Sequence, residues 1–152
     1  MIIRFKYLDN TQPTRFYAQW LKEACQDMMT DIDMILPVPM YWTRYLKRTY
    51  NQAYLLAHSL AKQTGIPLAA GILIRRKSTR YQAKLTRKQR QQNVKHAFAI
   101  KPKKRNQIEG KHILLVDDVL STGATLESCC HKLLAAGAAS VDVVTLARRI
   151  KK

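Results

Sequence analysis

The chain has 152 residues, 47% of them hydrophobic, and its 27 lysines and arginines against 10 aspartates and glutamates leave a net charge of +17. This length and apolar content predict a single domain over residues 1–152 with its own core, and they exclude a disordered tail. Thirteen basic residues and no acidic one lie between Arg75 and Arg105, a field that attracts phosphorylated molecules, nucleic acid or an acidic membrane surface.

The first half of the chain predicts a helix, a strand and a second helix. Residues 14–29 have the spacing of an amphipathic helix, with an inner face of Tyr17, Trp20, Leu21, Ala24 and Met28. Residues 34–40 indicate a short apolar strand that runs into a proline-marked loop. Asn51 can cap a helix that reaches Gln63 and ends at Gly65. We expect the buried face of that helix to consist of Ala53, Leu56, Ala57 and Leu60.

The second half predicts strands that alternate with a helix. Short strands are expected at 72–74 and 97–100, on either side of a basic segment, and a polar connection follows over 101–110. Four consecutive apolar residues, 113–116, indicate a strand buried on both faces, which we expect two aspartates to end. A helix from about Gly123 to Gly137 should then bury Leu126, Cys130, Leu133 and Leu134. With a last strand at 141–146, the pattern predicts an α/β domain with a parallel crossover.

The residues that follow the buried strand have the chemistry of a ligand site. Asp117 and Asp118 come at its carboxyl end, where open α/β sheets bind ligands. Consecutive strand residues point to opposite sides, so the two carboxylates should bind sugar hydroxyls, or a metal through water, rather than one metal directly. Small, mostly hydroxylated residues then bring N–H groups to a positive helix end and form a phosphate cradle. They are Ser121, Thr122, Gly123, Ala124 and Thr125.

The segment LLVDDVLSTGAT resembles the phosphoribosyl pyrophosphate (PRPP) motif of type I phosphoribosyltransferases. The order of PVPM, KRTYNQAYLLAHSLA, RYQAKLTRKQRQQNVKHAFAI and VDVVTLAR around it resembles the ComF family, from about residue 3 to 148. Those proteins are phosphoribosyltransferase-like and are linked to competence and DNA uptake. The resemblance implies the type I fold, a twisted and mainly parallel sheet flanked by helices, with a hood over 1–33 and a core over 34–152.

The resemblance also implies roles for individual residues. Asp117 and Asp118 would be the catalytic pair that contacts the ribose, and residues 121–125 would hold the 5-phosphate. A pyrophosphate loop would contain Val38, Pro39, Arg44 and Arg48. A flexible loop over 79–93 would close over the diphosphate with Arg87, Lys88 and Arg90. Mg²⁺ would enter with PRPP, held by substrate and water and not by direct side-chain ligation.

The chain departs from the family pattern at three points. Ser121 stands where the family prefers Thr, and Thr49 follows Arg48 where the family has Gly. ComF proteins usually begin with a four-cysteine zinc module, whereas this chain has three cysteines and no CxxC spacing, so we expect it to bind no zinc. The N-terminus lacks a signal pattern and no apolar run reaches the roughly 18–20 residues of a membrane span, which predicts a cytoplasmic protein.

Two functions remain open from the sequence. The first is an enzyme that takes PRPP, or another phosphoribosyl ligand, and transfers ribose 5-phosphate to an acceptor. The second is a non-catalytic member that keeps the ligand site, while its basic surface binds single-stranded DNA or a DNA-uptake protein. Interpretations without a ligand also remain open for these motifs. The proline-rich turn can simply end a strand, and the basic segment can be a solvated loop.

Overall fold

A computed structural model of the chain describes residues 13–40, 50–76, 94 and 96–149, and it confirms the predicted α/β fold. The strands are β1 (Met34–Pro37), β2 (Leu73–Arg75), β3 (Phe98–Ile100), β4 (His112–Leu120) and β5 (Ser140–Arg148). The α-helices are α1 (Thr14–Ala24), α2 (Gln52–Thr64) and α3 (Ala124–Ala135), and two 3₁₀ helices cover Gln26–Asp31 and Pro102–Gln107.

Strand β4 is the centre of a parallel sheet with the order β1-β4-β5, and β2 and β3 form a separate antiparallel pair. β1 ends where Pro37 pairs with Val116, but β5 continues beside β4 as far as the pair Leu120–Arg148. The expectation that the two aspartates end β4 is therefore wrong. The reason is that β5 provides a partner along one edge, so the strand continues after its other partner has ended.

The four apolar residues at the middle of β4 are buried on both faces, as predicted. Ile113 and Leu115 belong to a core that includes Leu133 of α3, whereas Leu114 and Val116 belong to a second core on the other face. All four are 0% exposed. This alternation is that of a strand covered by helices on both sides. The second core also contains residues of α1 and α2, among them Tyr17, Leu21, Leu56 and Leu60.

Helix α2 has the start, end and buried face that the sequence predicts. Asn51 caps it by accepting a hydrogen bond at Oδ1 from the Ala53 N–H, at 3.1 Å, and Gly65 closes it in the left-handed conformation at φ 77°. The Asn51 Nδ2 also donates to the Val38 carbonyl oxygen at 3.1 Å. The start of α2 is thereby fixed to the chain that leaves β1. The four inner residues are buried, as expected: Ala53, Leu56, Ala57 and Leu60.

Helix α1 is shorter than predicted, and its buried stripe agrees with the predicted one only in part. It ends at Ala24, which is exposed, and Trp20 is 50% exposed. Tyr17 and Leu21 are buried, as predicted, and Thr14 and Ala18 complete with them the stripe of three- and four-residue spacings that a straight helix can bury. The predicted hood residues that the structure describes, through Ile32, contribute to the core beside the sheet, and a hood over 1–33 remains a prediction.

Helix α3 also buries a neighbouring residue in place of the expected one. Cys129 is 0% exposed, whereas Cys130 is only partly buried and Leu134 is 47% exposed. Leu126, Cys129 and Leu133 lie on one face of the helix. Cys130, the residue predicted to be buried, is rotated by about 100° around the helix axis from Cys129. Elsewhere the predicted strands shift by only a few residues. Within the part of the chain described, no helix is both long and apolar enough to cross a membrane.

We expect Asn51→Ala to destabilise the fold by about 1–3 kcal/mol, because it removes the cap of α2 and leaves a buried carbonyl of Val38 without its donor. Urea denaturation measures this change. Asn106→Ala, in the exposed 3₁₀ helix Pro102–Gln107, is the control and should alter stability by less than about 0.5 kcal/mol. Equal effects of the two substitutions would show that Asn51 does not hold these elements together.

Candidate functional site

The carboxyl end of the sheet brings two of the predicted segments together. The Val38 N–H donates to the Val116 carbonyl oxygen at 2.9 Å, so the chain leaving β1 lies beside the residue that precedes Asp117. Val38 is buried and Pro39 partly buried. The predicted cations of this segment, Arg44 and Arg48, lie outside the described residues.

The acidic pair projects from opposite faces of β4, as the sequence predicts. By strand alternation, Asp117 shares the face of Leu115, which α3 covers, and Asp118 shares the face of Val116. Both are partly exposed, and the Asp118 N–H donates to Asp117 Oδ1 at 2.8 Å. The two carboxylates can therefore accept hydrogen bonds from different parts of one ligand.

The loop after β4 leads into a helix that begins without a capping side chain. Gly123 is the N-cap of α3, in the left-handed conformation at φ 80° and ψ −15°. Among the residues that the structure describes, a Cβ there would meet only Leu120 Cδ1, at 3.8 Å, and the left-handed backbone conformation is itself a reason for glycine. The first N–H groups of α3 carry the positive end of the helix dipole, where anions bind. Around them Ser121 is exposed, Thr122 and Thr125 are partly exposed and Ala124 is buried.

On the Asp117 side of β4 lies a thiol, Cys129, that the sequence analysis did not assign to the site. Burial raises the pKa of Cys129, the charge of Asp117 and the neighbouring Cys130 raise it further, and Arg75 partly offsets this increase. Arg75 and Asp117 therefore both lie within electrostatic range of Cys129. Correct periodicity on α3 would have placed Cys129 under the loop, but the approach of Arg75 depends on tertiary packing.

Described residues on either side of the predicted flexible loop are joined to each other and to α3. The Arg76 N–H donates to the Ala97 carbonyl oxygen at 2.7 Å, and the Ala97 N–H donates to that of Val94 at 2.9 Å. Buried Ser128 of α3 donates from Oγ to the same Val94 oxygen, at 3.1 Å. One helix thus positions both the loop after β4 and the base of this segment. Arg87, Lys88 and Arg90 lie outside the described residues.

The donor atoms present bear on how the site could hold a metal ion. Among the residues that the structure describes, no group of three or more His, Cys, Asp or Glu side chains could hold a metal ion. Two partly exposed carboxylates do suit Mg²⁺ in another way, because this ion is commonly bound through one or two carboxylates together with water and substrate phosphates.

Comparison with known proteins gives a consistent result. Residues 50–152 match the phosphoribosyl transferase domain. Competence protein F of Haemophilus influenzae is 36% identical over 153 residues, which cover 97% of this chain and 66% of that protein. DNA utilization protein YhgH of Salmonella typhi is 34% identical over 118 residues, or 78% of this chain and 50% of that protein. The chain thus spans about half to two thirds of these curated relatives.

The structural comparison agrees on the fold. Glutamine PRPP amidotransferase from B. subtilis, solved with ADP and GMP, superposes with a TM-score of 0.62 and 20% sequence identity. The match covers 95% of this chain and 30% of that one. At this identity the likeness concerns the fold alone.

We expect the three thiols to react at different rates with a maleimide reagent at pH 8. Burial raises the pKa of all three thiols, so accessibility decides: Cys130 is partly buried and should react first, whereas Cys25 and Cys129 are buried and should react only when the chain unfolds. Mass spectrometry after timed quenching counts the labels, and Cys130→Ser removes the fast one. Equal rates at Cys129 and Cys130 in the native protein would contradict this arrangement.

Proposed function

The chain belongs to the phosphoribosyl transferase domain family, and from this premise we propose that it binds PRPP, or another ligand with a ribose 5-phosphate group, between Asp117 and Thr125. Its homology to competence protein F and YhgH confirms the resemblance to ComF proteins. One observation supports the proposal above all. An acidic pair on β4 is followed at once by a left-handed glycine and the uncapped start of α3.

The proposed ligand makes two kinds of contact. Its 5-phosphate accepts hydrogen bonds from the first N–H groups of α3 and from the hydroxyls of Ser121, Thr122 and Thr125. Its ribose hydroxyls donate to Asp117 and Asp118. Carboxylates are strong acceptors for hydroxyl donors, and the partial exposure of both side chains leaves them accessible to a ligand.

Mg²⁺ fits this site as a companion of the substrate. Because Asp117 and Asp118 project from opposite faces of β4, they would hold the ion through water molecules and through the oxygens of bound PRPP. When bound, it supplies charge neutralisation for the diphosphate group of PRPP. No zinc is part of the proposal.

The same site supports transfer of ribose 5-phosphate to an acceptor. Such a reaction needs little covalent chemistry from the protein, because positioning and charge stabilisation provide most of the catalysis. The residues would orient the ribose and hold the phosphate, and the segment fixed at Val94 and Arg76 would exclude water. The names of the two relatives, a competence protein and a DNA utilization protein, support a role for the proposed activity in those processes.

We expect the double variant Asp117→Asn, Asp118→Asn to lose PRPP binding, measured by calorimetry with and without Mg²⁺, because neutral amides are weaker acceptors for the ribose hydroxyls. Asp142→Asn is the matched control, since Asp142 lies on β5 opposite Leu114, away from the carboxyl end of the sheet. Thermal melting verifies that each variant is folded. Unchanged PRPP affinity in the folded double variant would refute the site.

We expect Gly123→Val to abolish binding, because a branched side chain projects from the loop that receives the phosphate. Gly65→Val controls for backbone strain, since Gly65 has φ 77° against 80° at Gly123 and no described residue lies within 4 Å of the position of an added Cβ. Both variants should lose about 1–2 kcal/mol of stability, but only Gly123→Val should lose PRPP binding. Equal binding by both variants would show that no phosphate approaches the Gly123 backbone.

Nucleic-acid binding is the second candidate function, and a charge observation favours it. Lys101, Lys103 and Arg105 are exposed around the 3₁₀ helix Pro102–Gln107, in a chain with a net charge of +17. Such groups bind phosphates of single-stranded DNA, with affinity that falls as salt rises. The predicted flexible-loop cations offer a second surface of the same kind.

The salt dependence of DNA binding separates these two surfaces. Replacing Arg87, Lys88 and Arg90 by Gln should reduce the slope of log K against log salt by up to about 2, because fewer counterions are released. A second variant, with Lys101, Lys103 and Arg105 replaced by Gln, is compared with the first. Fluorescence anisotropy with a labelled oligothymidine gives both slopes. An unchanged slope in the first variant and a reduced slope in the second would move the DNA surface to the 3₁₀ helix.

A further inference from the structure

A groove of about 550 Å³ lies between the 3₁₀ helix Pro102–Gln107 and the end of α3. These two elements lead into the first residues of β4 and β5, so the groove lies at the amino end of the sheet, opposite the acidic pair. Leu134 and Ala135 are exposed apolar residues of its lining, and Leu134 is 47% exposed. The groove can therefore receive a protruding segment with apolar side chains.

Positive charge dominates this groove. Lys103 and Arg105 line it, and Glu109 is the one carboxylate among the described lining residues. The Arg105 Nη2 donates to the Ala135 carbonyl oxygen at 3.2 Å, which holds this cation across the end of α3. The Glu109 carboxylate can accept from peptide N–H groups but repels a phosphate backbone. The lining thus favours a polypeptide that carries carboxylates for the cations and apolar atoms for Leu134.

The chain itself contains a segment of this composition. Residues 23–33 hold four of its ten acidic residues and no Lys or Arg, in a molecule of net charge +17. Asp27 and Asp31 are exposed on the 3₁₀ helix Gln26–Asp31, and Met28 and Met29 between them are partly exposed. Methionine side chains adapt to irregular apolar surfaces. This acidic 3₁₀ helix is therefore complementary to the groove in charge and in apolar character.

The acidic 3₁₀ helix and the groove lie at the same end of the sheet but on opposite faces. Asp33, which follows the helix, donates from its N–H to the His112 carbonyl oxygen at 2.9 Å and accepts the His112 N–H at Oδ2, at 2.8 Å. Met28 and Met29 pack on the core that contains Leu114, whereas α3 packs on the other core. A two-fold axis through this end therefore brings the acidic helix of each copy to the groove of the other.

We propose that the groove binds the 3₁₀ helix Gln26–Asp31 of a second copy of this chain, in a two-fold dimer with two equal contacts. In each contact the carboxylates of Asp27 and Asp31 face the cations of the groove, and the methionines cover Leu134. One copy alone cannot form this contact, because its two surfaces lie on opposite faces of its own sheet. The ligand sites lie at the far ends of the dimer, so the inference goes beyond the proposed function and does not depend on it.

Sedimentation velocity of the full chain tests the dimer at about 0.15 M salt, where charges further apart than about 8 Å are largely screened. We expect a monomer–dimer equilibrium. Two charge-reversed variants, Asp27→Lys with Asp31→Lys and Lys101→Glu with Lys103→Glu, should each raise the dissociation constant of the dimer by about tenfold or more. An equimolar mixture of the two variants should restore the dimer, because both contacts then join opposite charges again.

Arg148→Glu with Arg149→Glu is the matched control, since these exposed residues follow β5 to the carboxyl end of the sheet and change the charge by the same amount. This control should not weaken the dimer, and thermal melting verifies that every variant is folded. A chain that stays monomeric, a dimer that neither reversal weakens, or a mixture that does not reassociate would each overturn the inference. A monomer whose affinity for oligothymidine depends on Lys101 and Lys103 would assign the groove to nucleic acid instead.

Discussion

The parallel pairing of β4 with unequal partners determines where this molecule can bind a ligand. β1 and β5 both flank β4 up to Val116, and beyond it β5 is the one strand among the described residues that continues to pair with β4. Four buried apolar residues lock the strand between two cores, so the residues that follow are held in a fixed position. The acidic pair lies in this one-sided extension, beside the chain leaving β1. An edge with partners on both sides would leave less backbone and side-chain surface for a ligand.

Helix α3 connects the fixed strand β4 to the rest of the site. It begins at the loop after β4, buries Cys129 behind Asp117 and holds the base of the predicted flexible segment through Ser128. A displacement of α3 would therefore alter the phosphate cradle and that segment together. Asn51 positions the chain on the β1 side of the site, because it joins the start of α2 to the turn after β1. Two helix starts thus face the same end of the sheet.

Local signals were sufficient for the parts of the fold that depend on periodicity and capping. The Asn51 cap, the Gly65 terminus and the four-residue buried run of β4 follow from residue types at fixed spacing, and the structure confirms them. The errors arose where tertiary contacts decide. β4 continues past its aspartates because β5 pairs with it there. Trp20 is exposed because the buried stripe of α1 passes through the neighbouring position instead. The approach of Arg75 to Cys129 and the groove between the 3₁₀ helix Pro102–Gln107 and α3 join segments far apart in sequence, which no local pattern predicts.

Backbone amide NMR during a titration with Mg²⁺ and PRPP tests the central claim most directly. The account predicts that the amide signals of Thr122, Gly123, Ala124 and Thr125 shift as PRPP is added, because their N–H groups receive the 5-phosphate. The Gly65 amide, at the far end of α2, should remain unshifted. Shifts confined to the basic 3₁₀ helix Pro102–Gln107, with Gly123 unaffected, would contradict a ribose-phosphate site at the start of α3.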